Sequence, residues 1–137
     1  MGQTVLCFQL SKEKEQAVGI VCRKLGIRQR KVTGGEYNQK LGYLAGIAGF
    51  NKEPGASVKG ALSGEMLVFS GIDSDGVDAF LAAYKETGAA PIGLKAILTP
   101  HNVFWSVEQL YQELMKEHVK RTMREEVLGG LGGFSGA

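Results

Sequence analysis

Two short stretches of this chain carry residues whose types and spacing could do chemistry. The first runs from Lys95 through Thr99 to His101 and Asn102. A histidine can move a proton near neutral pH. The ammonium, hydroxyl and amide beside it could orient an anionic or carbonyl group. The second is Thr33-Gly34-Gly35, with Arg30 and Lys31 just before it. Free backbone amides where a strand turns into a helix can hold an anion. Neither stretch is a complete motif. No Gly-Lys-Ser/Thr follows either, so there is no P-loop. A nucleophile with its base and orienting acid is not legible either. The structural alternative is that these polar side chains satisfy the backbone of their own loops. Thr33, Gly34, Gly35, Lys95, Thr99, His101 and Asn102 therefore stand as ligand-binding candidates. No catalytic residue, metal ligand or cofactor is assigned.

Other clusters have plain readings. Asp73, Asp75 and Asp78 lack the closing Glu of a calcium loop, and acids are favoured at a helix start anyway. Arg23, Lys24, Arg28, Arg30 and Lys31 form a basic run without aromatics for base stacking, which fits a solvated face and not a nucleic-acid surface. His118 extends the apolar face of the last helix and is expected to pack there. Cys7 and Cys22 lack zinc-ligand spacing and are expected to be buried free thiols.

The elements that must position these residues are set by local patterns. Thr4 to Leu10 is an apolar run of strand length. Ser11 caps a helix with Val18, Val21, Cys22 and Leu25 inward, ended by Gly26. Ile27 to Thr33 is polar and predicts an edge strand. Thr33-x-x-Glu36 is a capping box and predicts a helix to about Ala48, weakened by Gly42 and Gly46. Residues 51–64 form a polar, Gly-containing connection, expected to be mobile. Glu65 to Ser70 is the third strand, and Asp73 opens a helix that Gly88 ends. Leu94 to Thr99 is expected to be a mostly buried strand, stopped by Pro100. Ser106-x-x-Gln109, with Trp105 and Leu110 at hydrophobic-staple spacing, opens a last helix to about Val127.

The two halves repeat one order: strand, capped helix ending in Gly, strand ending in Thr, loop, helix. The spacing from Thr33 to Leu44 equals that from Thr99 to Leu110. The expected fold is α+β: a two-layer α/β sandwich of two pseudo-repeated βαβ(α) units with a four-stranded sheet, ferredoxin-like in order. A parallel three-layer α/β sheet is the alternative. One domain over residues 1–128 is expected, its halves 1–50 and 65–128 joined by residues 51–64, with a flexible Gly-rich tail at 129–137.

At 137 residues, 44% hydrophobic, 22% charged and net charge +2, the chain can bury a core and shows no polyanion-binding bias. It has neither a leader pattern nor an apolar run near membrane length, so a cytoplasmic protein without membrane contact is expected.

Leu94-Lys95-Ala96-Ile97-Leu98-Thr99-Pro100, then Asn102, Trp105, Leu110 and the Glu113 to His118 end carry a resemblance. Over about residues 65–118 the chain resembles a bacterial family catalogued as domain of unknown function 3783. That resemblance implies a bacterial cytoplasmic setting and no reaction. The leading expectation is a small non-enzymatic binding or regulatory module that forms a homodimer through the Thr99 to Trp105 loop. The alternatives are a sensor for a phosphorylated or other anionic small molecule at the Thr33 and Thr99 loops, and an enzyme using His101.

Overall fold

Strand β1, Thr4–Phe8, is buried along its whole length, and so is β3, Met66–Ser70. Both are apolar on their two faces, which suits the centre of a sheet covered on both sides. They pair antiparallel, Thr4 opposite Ser70 through Phe8 opposite Met66. The polar β2, Arg28–Val32, pairs parallel with β1, and β4, Leu94–Ile97, pairs parallel with β3. The sheet order is β2-β1-β3-β4. The computed structural model describes residues 2–55 and 62–132, of which 121–132 are described by backbone alone.

Helix α1, Lys12–Leu25, links β1 to β2. The Ser11 hydroxyl accepts from the Lys14 amide, and Gly26 leaves the helix in the left-handed region at φ 70°. Helix α3, Ser74–Glu86, links β3 to β4 and is capped by Asp73, whose carboxylate accepts from the Gly76 amide at 2.8 Å. Both helices cover one face of the sheet, around Val5, Cys7, Leu67, Phe69 and Phe80. The sheet and the helices on this face make the two α/β layers expected on a four-stranded sheet; the opposite face is covered as well. The strand order differs from the ferredoxin-like one. Each crossover helix returns its strand to the adjacent position, so the two βαβ units lie side by side instead of interleaving. The antiparallel β1–β3 pair also departs from the all-parallel alternative. The physical reason lies in the strands: the two that are apolar on both faces take the centre, and the two with charged residues take the edges.

The second face carries Leu6, Phe8, Met66 and Val68 under Tyr37, Leu41, Leu44, Val107, Leu110 and Tyr111. Four local expectations change here. The helix expected from Thr33 to Ala48 is broken into a 3-10 turn, Gly34–Glu36, and one helical turn α2, Leu41–Leu44. Gly46 at φ 78° and Gly49 at φ 94° end it, and Gly42 lets the Phe50 ring lie where a Cβ would be 2.7 Å away. Strand β4 is an edge: Lys95 and Ile97 are exposed, and Leu94 and Ala96 are half-buried. Helix α4, Val107–Gly132, runs further than expected, so residues 129–132 of the expected flexible tail are helical, while 133–137 lie outside the described residues. His118 is exposed on α4 and not part of a buried face.

Two glutamines anchor the connection between the halves. Gln39 is 1% exposed; its amide donates to the Glu53 carbonyl at 3.0 Å and accepts from the Glu53 amide at 2.7 Å. Gln9 does the same at the other end, accepting from the Leu62 amide and donating to the Leu62 carbonyl at 2.8 Å. The mobility expected of residues 51–64 is thus limited at both ends by paired bonds; residues 56–61 lie outside the described part.

Candidate functional site

The loop after β4 is closed by its own polar side chains. Asn102 is 9% exposed, and its Oδ1 accepts from the Thr99 amide at 2.7 Å while its Nδ2 donates to the Ile97 carbonyl at 3.1 Å. The Thr99 hydroxyl accepts from the amides of His101 and Asn102 at 3.2 and 3.1 Å. Thr99 and Asn102 therefore form a pair of interlocking turns, with Pro100 at the bend. Their hydrogen-bonding capacity is largely used by the loop itself. His101 is exposed, and its ring stands edge-on to Trp105, centroids 5.2 Å apart. Its imidazole makes no hydrogen bond among the described residues, so no base–nucleophile pair is assembled there. Lys95 lies on the other face of β4 and donates to the Ile92 carbonyl at 2.7 Å.

The Thr33 loop is held differently. Glu36 accepts from the Thr33 amide at 3.4 Å and pairs with Arg30 at 2.9 Å. Arg30 also donates to the Leu44 carbonyl. A carboxylate already engages the Thr33 amide and hydroxyl, two of the donors an anion would use there. The strand pairing separates the two loops. Because β2 is parallel to β1, β1 antiparallel to β3 and β3 parallel to β4, the outer strands run in opposite directions. The loops after β2 and β4 leave from opposite ends of the sheet and opposite edges.

What the Thr99 loop does meet is the segment after Thr33. The Leu41 amide donates to the Trp105 carbonyl at 2.9 Å, and Lys40 bridges to Ser106. This contact brings Phe104 against Phe50, ring centroids 5.3 Å apart, beside a cleft of about 330 Å³ lined also by Lys40, Asn51 and Glu53. Phe104 is 62% exposed. Lys40 and Glu53 pair across this cleft at 3.1 Å. Phe50, Phe104 and Lys40 were not singled out by sequence pattern. The available signal was Phe104 itself, a large apolar residue in the turn before the Ser106 cap.

Cys7 and Cys22 are free and buried. Burial pushes the Cys7 thiol up to about 12, opposed by its contact with Gln29, and burial pushes Cys22 up to about 11. Neither is a thiolate nucleophile at neutral pH. Among the described residues, no cluster of histidine, cysteine and acidic groups could hold a metal ion, and no helix is long and apolar enough to cross a membrane.

Fold and site together define a mixed α/β protein with a self-closed strand–helix loop and an exposed aromatic pair. Residues 65–120, which contain β3, α3, β4, that loop and the start of α4, match the model of a family described as a domain of unknown function, DUF3783. Short segments are also similar to curated enzymes named phosphoribosylformylglycinamidine cyclo-ligase. That of Agathobacter rectalis is 88% identical over 25 residues, 18% of this chain and 7% of the enzyme. That of Geobacillus kaustophilus is 66% identical over 32 residues, 22% of this chain and 9% of the enzyme. The chain thus spans less than a tenth of these relatives' length. No solved structure matches the chain.

Proposed function

We propose that this chain is a small bacterial, cytoplasmic binding and regulatory module without catalytic activity, and that it self-associates through the face of the Thr99 to Trp105 loop. The observation that carries this reading is Phe104, 62% exposed and held against Phe50 on a loop braced by Asn102. A large aromatic kept in water at a fixed position is costly for a monomer and useful as an interface anchor. The polar groups of the same loop favour this over catalysis, since Thr99 and Asn102 bond the backbone and His101 lacks a partner group. The shared strand–helix–strand connectivity of the halves fits a duplicated unit in which the second copy acquired the loop.

Sedimentation velocity across a concentration series tests the proposal. The wild type is expected to shift from monomer to dimer as concentration rises, and Phe104→Ser to stay monomeric with an unchanged urea midpoint. A wild type that is strictly monomeric at high concentration, or a Phe104→Ser variant that dimerises equally, removes the proposal.

A further inference from the structure

We infer that this protein binds the oxyanion group of a small molecule, a phosphate or a carboxylate, in a cavity at the end of the sheet opposite the Thr33 loop. The side chains on the second face form rows across the strands. Val32, Phe8, Met66 and Leu94 make one row, and Arg30, Leu6, Val68 and Ala96 the next. The last row is Arg28, Thr4 and Ser70, where the buried face turns from apolar to polar. Above it lies a cavity of about 440 Å³, closed on the other side by the turn that ends α2, including Gly46, and by Gly71.

Thr4 is 3% exposed and Ser70 6%. Neither hydroxyl makes a hydrogen bond among the described residues, yet no fully enclosed polar side-chain atom is left without a partner. Both hydroxyls therefore open onto the cavity. A buried hydroxyl without a partner costs free energy unless something in the space accepts from it. Arg28 stands at the mouth and has no ion-pair partner among the described residues, unlike Arg30 and Lys31, which pair with Glu36 and Glu15. Its guanidinium would lie 3.4 Å from a Cβ at Gly46, so the small residue there keeps the fork close to the cavity roof. The Asp73 carboxylate is engaged by the Gly76 amide in capping α3 on the opposite face. One unpaired cation and two buried donors facing a common space suit an oxyanion, with the guanidinium supplying paired donors. The remaining volume admits the organic body that carries it.

Calorimetric titration of the full chain at neutral pH and low salt, with inorganic phosphate in one arm and acetate in the other, tests this. Binding in either arm is expected, and the arm that responds more strongly assigns the group. Arg28→Gln is expected to weaken binding at least about tenfold, Ser70→Ala a few-fold, and the exposed Arg23→Gln not at all. Amide NMR shifts are expected at Thr4, Gly46, Ser70 and Gly71. No heat in either arm, equal loss in Arg23→Gln, or shifts confined to other residues overturns the inference. Arg28 is exposed and Ser70→Ala removes one oxygen, so both variants should fold, and their unfolding midpoints check it.

Discussion

Asn102→Ala should be one of the more destabilising polar substitutions in this protein, while its neighbour His101→Ala should be nearly silent. Asn102 makes two bonds to backbone, at 2.7 Å to the Thr99 amide and 3.1 Å to the Ile97 carbonyl, and is 9% exposed. Each bond contributes about 1 kcal/mol net, and stranding partly buried backbone groups adds to the loss. Together these give about 2–3 kcal/mol for the alanine variant. Asn102→Asp refines the test. One carboxylate oxygen can still accept from Thr99, but the other replaces a donor against the Ile97 carbonyl. That contact favours the protonated acid, so the new carboxyl should titrate above the usual aspartate value of about 3.9. A raised folded-state value means that stability is retained below about pH 4 and lost as pH rises through the folded-state value. Urea unfolding followed by the fluorescence of Trp105, the single tryptophan, measures both. An alanine variant within about 0.5 kcal/mol of wild type, or an aspartate deficit that does not change with pH, would refute the loop-closing role.

Two further outcomes are expected. Gly42→Ala places a Cβ 2.7 Å from the Phe50 ring, so the ring must move; a loss of about 1–3 kcal/mol in chemical denaturation is expected, together with changed Phe104 exposure. The buried thiols predict an alkaline limit. Cys7 and Cys22 titrate at about 12 and 11 in the folded chain, above the value of 9.0 for a free thiol. The folded state holds its protons longer, so stability is full below pH 9 and falls above it, by up to about 1.4 kcal/mol per pH unit for each thiol. A Cys7→Ala, Cys22→Ala double variant should show a shallower decline between pH 9 and 11.

Much of the scaffold was readable because its signals are local. Ser11, Gly26, Asp73 and Gly88 mark helix ends through side-chain caps and left-handed turns that depend on a few neighbouring residues. The charged edge at β2 was readable for a similar reason. Strand order was not, because alternation tells which faces are buried but not which strand lies beside which. The short α2 was missed since the capping box at Thr33 describes only a first turn; the path of the next residues depends on Phe50 packing over Gly42. The site residues divide in the same way. Thr99 and Asn102 were conspicuous because loop closure needs them. Arg28, Thr4 and Ser70 lie far apart in sequence and become neighbours only through strand register. Gln39 and Gln9 were invisible as anchors, because nothing in the sequence around a glutamine announces which backbone it will pair with.

The antiparallel seam between β1 and β3 has a kinetic consequence. Within each half, strand partners are separated by one helix, whereas the seam joins residues roughly 60 positions apart in sequence. Ordering the intervening chain is therefore concentrated in one step, the docking of two locally formed units. Contacts inside each unit are already made when the units dock, so substitutions in the edge strands should slow refolding, while those at Leu6 or Val68 should do so only as far as the seam has formed in the transition state. Gln39 holds Glu53 against the first half, which shortens the stretch free to wander before the halves meet. A stopped-flow series in which edge-strand substitutions leave the folding arm unchanged would show that the units do not form first.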